Sequence, residues 1–164
     1  MKKKQSKNLD NAQVKREIDI SKTEIVISSS TDNLSLVRDF IEFHGRELDL
    51  SSKEIAHIIL AVDEACTNII KHAYQDSQDG RIKIKIDKKK DKLSVKLTDK
   101  GLHFDPSIIP DPNVEESQKM KKGGGLGMFL MKKIMDEVKY NAKGKGNELI
   151  LIKYLAWLDG KRYT

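Results

Sequence analysis

Residues Leu60 to Tyr74 read LAVDEACTNIIKHAY, and this stretch decides the fold. Extended back to Ile55, it carries Ile55, Ile58, Ile59, Val62, Cys66, Ile69 and Ala73 at helical spacing, which predicts one apolar face. Glu64, Asn68 and His72 follow one another four apart, so a regular helix stacks them along a neighbouring stripe. A carboxylate, an amide and an imidazole in one row beside a buried face suit site chemistry. The Asn68 oxygen can bind a hard cation such as Mg²⁺, and Glu64 can accept a proton or hold a water on that ion. The same row also describes a solvated helix rim, so its meaning depends on what other segments bring to it.

Working outward, Ser51 or Ser52 with Glu54 starts this helix. Upstream, Thr31-Asp32-Asn33 offers an N-cap before Leu34, Val37, Phe40, Ile41 and Leu48, with Gly45 interrupting that helix or sitting near its end. TEIVIS, Thr23 to Ser28, reads as a first strand. Downstream, DSQDG is a turn, and Ile82, Ile84 and Ile86 alternate with Arg81, Lys83 and Lys85 as a strand with one wet face. KKKD, Lys88 to Asp91, connects it to a partner strand with Leu93, Val95 and Leu97 inward. Beyond a long aperiodic segment, Leu126 to Met135 predicts a helix with Leu126, Phe129, Leu130 and Ile134 apolar. A short strand at Val138 to Asn141, a KGKGN turn and a last strand, ELILIKYL, complete the chain. No internal repeat is present, and the order of elements predicts a two-layer α+β sandwich.

A chain of 164 residues suits one domain with a full core. Charged content of 34% predicts a soluble protein with a heavily charged surface, and no apolar run approaches a membrane span. The basic start, MKKKQSKNLDNAQ, is followed by no apolar stretch, which excludes a secretory signal. The single cysteine, Cys66, cannot form an internal disulfide and reads as a small buried hydrophobe, in keeping with a reducing cytoplasm. Residues 1–22 hold seven Lys/Arg and three Asp/Glu, so they carry +4 of the net +6. They form a basic extension, disordered or loosely attached up to about Ile20, ahead of one domain over 23–164. The near-neutral remainder and an aromatic content of 5% argue against a nucleic-acid-binding face.

Two further stretches bear on chemistry. Asp99 closes a strand and Gly101 follows it; a carboxylate there can accept a hydrogen bond from an exocyclic amine such as adenine's. Gly101, without a Cβ, lets a flat ring approach the backbone, and Phe104 packs near that ring or belongs to the core. Alone, Asp-x-Gly is an ordinary turn. Gly123, Gly124, Gly125 and Gly127 stand at the start of the Leu126 helix, where backbone N–H groups and the helix dipole favour an anion, with Lys121 and Lys122 next door. Alone, this is a flexible linker. No Gly-Lys-Ser/Thr follows, which excludes a P-loop, and the third Rossmann glycine falls on Met128.

Taken in order, Glu-x-x-x-Asn, Asp-x-Gly, a long loop and Gly-x-Gly-x-Gly resemble the ATP-binding domain of DNA gyrase, histidine kinases and their relatives, the Bergerat or GHKL fold. EACTNIIKHAY, DKGLHFDP and GGGLGMFLMKKIMDEV resemble in particular the bacterial anti-sigma-factor serine kinases of the partner-switching type, over Thr23 to Leu155. The resemblance implies a two-layer sandwich whose sheet is mixed, mostly antiparallel, with helices on one face. It implies Glu64 as catalytic carboxylate, Asn68 as Mg²⁺ ligand, Asp99 and Gly101 at adenine, and Lys122, Gly123, Gly125, Leu126 and Gly127 around the phosphates. It makes 106–122 the ATP lid, ATP and Mg²⁺ the cofactors, and a STAS-domain antagonist and a sigma factor the partners of a cytoplasmic kinase homodimer. Direct nucleic-acid or membrane contact is not expected. Arg38 is a candidate partner contact by approximate alignment, against the plainer reading of a solvated helix charge. His72 has no separate helical domain around it and is not expected to accept phosphate. The alternative is a nucleotide-binding partner-switching module that transfers nothing.

Overall fold

The computed structural model describes residues 18–103 and 126–155, and the backbone of 157–158 and 161–162. The segment 106–122, expected to be a lid, and Phe104, Lys121, Lys122, Gly123, Gly124 and Gly125 lie outside the described residues.

Strand β1 (Glu24–Ser28) leads through a 3₁₀ turn at Thr31–Asn33 into helix α1 (Leu34–Glu47). Asn33 holds the N-cap position of α1, within the expected Thr31-Asp32-Asn33, but its side chain makes no capping bond there and turns its amide back to the Ser28 carbonyl and hydroxyl. Ser30 caps the 3₁₀ turn, accepting from the Asp32 N–H. Helix α2 (Ser52–Asn68) opens on a capping box in which Ser51 and Glu54 satisfy each other's backbone N–H. Gly45 sits two residues before the end of α1, where a Cβ would press on Ile55 of α2 at 2.8 Å. The expected apolar face of α2 is the buried one, with Ile55, Ile58, Val62 and Cys66 at most 6% exposed.

The helix does not continue unchanged to Tyr74. From Ile69 to Ala73 it widens into a π turn, with the Tyr74 N–H donating to the Ile69 carbonyl at 3.0 Å. Gln75 and Asp76, both at positive φ, then reverse the chain.

Strands β2 (Arg81–Lys88), β3 (Lys92–Asp99), β4 (Glu137–Lys143) and β5 (Gly146–Tyr154) complete a five-stranded sheet in the order β1-β2-β3-β5-β4. Every pairing in it is antiparallel, with no parallel member. Alternation fixes the register: Leu97 lies opposite Leu149 and Val95 opposite Leu151, so all four point into the core. The other sheet face is mainly polar, with Lys83 paired to Glu24 and Lys96 to Glu148, and also carries Val26, Ile150 and Ile152. β4 is longer than the expected Val138–Asn141 because Gly144, at φ 57°, makes a tight turn that lets pairing run to Lys143. Two short strands, β6 (Trp157–Leu158) and β7 (Lys161–Arg162), pair with each other.

Helix α3 (Leu126–Ile134) packs against α2. Its buried residues are Met128 and Met131, followed by Met135, whereas Leu126 is exposed. The apolar stripe of Leu126, Phe129, Leu130 and Ile134 lies beside this face, and the more pliable methionines fill the core. Ile18 and Ile20 also pack against the core.

Candidate active site

The end of α2, the exit of β3 and the start of α3 converge on one narrow cleft. Its lining is apolar on one side, with Ala65, Ile69, Met128, Met131 and Leu149. Asn68, Asp99, Tyr140 and Asn147 supply the polar groups. Asn68 and Asp99, from separate stretches of the sequence, thus line one space.

The π turn decides which residues reach that space. A regular helix would put His72 one turn after Asn68; the wider turn puts Ala73 there instead, and His72 is exposed. The expected row of Glu64, Asn68 and His72 is therefore broken at its last member. The Ala73 carbonyl accepts the Leu102 N–H at 2.8 Å, and the Tyr74 hydroxyl accepts the Lys100 N–H at 3.0 Å. These bonds clamp the β3 exit to the end of the helix. Gly101 is the residue at closest approach, since a Cβ there would lie 2.5 Å from the Ala73 oxygen.

Asp99 is 4% exposed. Burial pushes its carboxyl above the usual carboxylate range, opposed by hydrogen bonds from Asn147 and the Gly101 N–H and by His103. Both hydrogen bonds land on Oδ1, from Gly101 N at 2.8 Å and Asn147 Nδ2 at 2.9 Å. A carboxylate so held can take one further donor on Oδ2.

Glu64 is half-buried one turn before Asn68 and lies against Gly127, where a Cβ would collide with its carboxylate. The first turn of α3 and the α2 carboxylate are thus in contact. Leu126 is at the exposed start of α3. Among the described residues no group of three or more His, Cys, Asp or Glu could hold a metal alone. Mg²⁺ takes one or two protein oxygens and completes its shell from phosphates and water, so the Asn68 amide oxygen in this cleft, with Glu64 close by, fits it.

Arg38 is exposed and donates to Asp63 at 2.7 Å, which ties α1 to α2 just before Glu64. Cys66 is fully buried, and burial together with Asp63 pushes its thiol up, out of reach of redox or nucleophilic chemistry. Sequence reasoning missed Asn147, Tyr140, Met128 and Met131. Asn147 read as part of a turn; it stands directly opposite Asp99 in the β3–β5 register. That pairing is legible only once the two strands are aligned on their leucines.

Residues 27–153 match the family model for the histidine kinase-like ATPase domain. The chain is 31% identical over 138 residues to the serine-protein kinase RsbW of Listeria innocua, covering 82% of this chain and 87% of that protein. It is 29% identical to the same kinase of Bacillus velezensis, covering 85% of this chain and 87% of that protein. In fold it is similar to the RsbU and RsbW domains of a Mycobacterium tuberculosis protein, with a TM-score of 0.55 and 16% identity over 79% of this chain and 30% of that one. A chain of the SiaB–SiaC complex from Pseudomonas aeruginosa gives a TM-score of 0.59 at 11% identity, covering 90% of this chain and 99% of that one. The converging cleft and these likenesses agree: the chain belongs to the histidine kinase-like ATPase domain family, among the RsbW-type serine-protein kinases.

Proposed function

We propose that this protein is an ATP- and Mg²⁺-dependent serine/threonine protein kinase that acts as an anti-sigma factor. It phosphorylates a small STAS-type antagonist and sequesters a sigma factor, as a cytoplasmic homodimer. The observation that carries the reading is the cleft itself: Asn68 and Asp99 line it together, and Glu64 sits against the first turn of α3. RsbW relatives of similar length support the kinase assignment. Among the described residues no helix is long and apolar enough to cross a membrane.

The adenine base enters over Ile69, Met128, Met131 and Leu149, and its exocyclic amine donates to Asp99 Oδ2. The glycine run before α3, with Lys122, holds the phosphates at a helix N-terminus. Asn68 supplies the protein oxygen for Mg²⁺, which when bound neutralises charge on the phosphates. Glu64 accepts a hydrogen bond from the hydroxyl of the antagonist's serine or threonine and aligns its oxygen with the γ-phosphorus. The bond from that phosphorus to the ADP oxygen breaks as the new O–P bond forms, and the hydroxyl proton leaves towards Glu64. Such a transfer depends on placement and charge more than on covalent help, which suits a site with one carboxylate and one amide.

Incubation with γ-labelled ATP, Mg²⁺ and a cognate antagonist tests the reading. Label on the antagonist is expected with the wild type and not with Glu64→Gln. Nucleotide binding without label on the antagonist would leave a partner-switching module that transfers nothing.

A further inference from the structure

Asn147 is nearly buried, and its carboxamide is fully engaged. Nδ2 donates to Asp99 Oδ1 at 2.9 Å and to the Leu102 carbonyl at 2.9 Å, with the Gly101 carbonyl at 3.4 Å. Oδ1 accepts from the Tyr140 hydroxyl and from His103 Nδ1 at 2.9 Å. This orientation is forced. Turned over, the amide would set its oxygen against a carboxylate and two carbonyls, none of which can donate. Asn147 therefore presents only a donor to Asp99.

The consequence falls on the free oxygen of the carboxylate. Oδ1 is occupied twice, so the ligand meets Oδ2. That atom is not a sealed orphan, since the one buried side-chain oxygen without a partner among the described residues is Asp63 Oδ1. We propose that Asn147 is the specificity-determining positioning residue of the nucleotide pocket: by donating to Asp99 Oδ1 it keeps the carboxylate an acceptor at Oδ2 and so selects adenine over guanine. The proposal rests on the adenine role given to Asp99 above. Adenine carries an amine donor at this edge and guanine a carbonyl acceptor, so an acceptor-only Oδ2 takes the first and repels the second. Burial pushes the Asp99 carboxyl up while Asn147 pulls it down. Without that donor the carboxyl protonates at higher pH. As a neutral acid it can turn its proton toward a guanine oxygen and no longer refuses it. Tyr140 and His103 act one step further out, by holding the amide in its orientation.

The test titrates full-length wild type, Asn147→Leu and the milder Tyr140→Phe with MgATP and with MgGTP, at neutral pH and in steps down through the acid limb of ATP binding. Wild type is expected to prefer ATP. Asn147→Leu should bind ATP about tenfold more weakly, as the loss of a donor to a charged group implies, while GTP affinity stays within twofold. The acid limb of its ATP binding should move to higher pH. Tyr140→Phe should show the same two changes, smaller. A merely structural residue would weaken both nucleotides together and leave the limb in place; that result in both variants overturns the proposal. Unchanged ATP-to-GTP preference in Tyr140→Phe, should Asn147→Leu not fold, does the same. Absence of ATP binding by the wild type would refute the adenine role of Asp99 itself, and this proposal with it.

Discussion

Gly101→Ala probes the narrowest point between the two halves of the site. An added Cβ would lie 2.5 Å from the Ala73 oxygen and 2.7 Å from both its carbonyl carbon and its Cβ. These atoms belong to the π turn and cannot swing aside like a flexible side chain. Ordinary contact begins at 3.4 Å, so the β3 exit must retreat by about 0.7–0.9 Å. Overpacking of this kind costs about 1–3 kcal/mol. The Leu102 N–H to Ala73 bond, 2.8 Å long, stretches with it, and its loss adds about 1 kcal/mol. For a domain of this size the sum of about 2–4 kcal/mol lowers Tm by about 4–16 °C. Because the Gly101 N–H also fixes Asp99 Oδ1, ATP affinity should fall about tenfold as well. Gly144→Ala is the matched control: φ is 57° and nothing lies within 4 Å of the added Cβ. It should cost about 1 kcal/mol of strain and leave ATP affinity alone. Thermal melts and calorimetric ATP titration of both variants check this. A Gly101→Ala protein with wild-type Tm and wild-type ATP affinity would refute the clamp between Ala73 and the β3 exit.

Glu64→Gln should bind MgATP within twofold of wild type and lower phosphoryl transfer by about 10²–10⁴-fold, read as label on the antagonist at saturating ATP. Asn68→Ala should bind ATP equally with and without Mg²⁺, whereas wild type gains affinity from the ion; titration with and without a chelator measures this. Asp99→Asn can keep both bonds to Oδ1 and turns an amide donor to the cleft, so ATP affinity should fall about 10–100-fold. Its effect on the unliganded fold has the opposite sign. A carboxyl raised by burial stabilises the folded state below its unfolded pKa, and that contribution is lost as pH rises through the folded value. Asp99→Asn should therefore melt no lower than wild type at pH about 7.5, with any advantage closing as pH falls. An Asp99→Asn protein less stable than wild type at neutral pH, and more so than at acid pH, would contradict the buried-carboxylate account.

The layers were legible because they rest on local periodicity. Ile82, Ile84 and Ile86 can face only one side of a strand, and the Ser51–Glu54 box can open only a helix. Helix faces were legible where β-branched residues mark them, as with Ile55, Ile58 and Val62. They were less so in α3, where methionine and leucine compete for the interior and only packing against α2 chooses. In the site, Glu64, Asn68 and Asp99 could be named because their residue types stand at tell-tale spacings. Asn147 could not, since it follows a Gly-Lys-Gly turn, and only the register across β3 and β5 sets it on Asp99. His72 was misplaced for a different reason: a spacing of four assumes a regular helix, and no residue in IIKHA announces a wider turn.

That wider turn is what joins the site. In a regular helix the Ile69 carbonyl would take the Ala73 N–H; here it takes the Tyr74 N–H at 3.0 Å, so this turn holds one extra residue. The shift exchanges an imidazole for a methyl at the cleft wall, and a methyl is what a closely approaching strand exit tolerates. It also leaves the Ala73 carbonyl pointing out of the helix, where an unpaired buried carbonyl would be costly unless another donor arrived. Leu102 is that donor, and it can arrive only because Gly101, just before it, lacks a Cβ. Isolated π turns often occur at functional sites, and this one has a definite task. It brings the backbone after Asp99 against the helix that bears Glu64 and Asn68, so that the Asp99 carboxylate and the Asn68 amide line the same cleft.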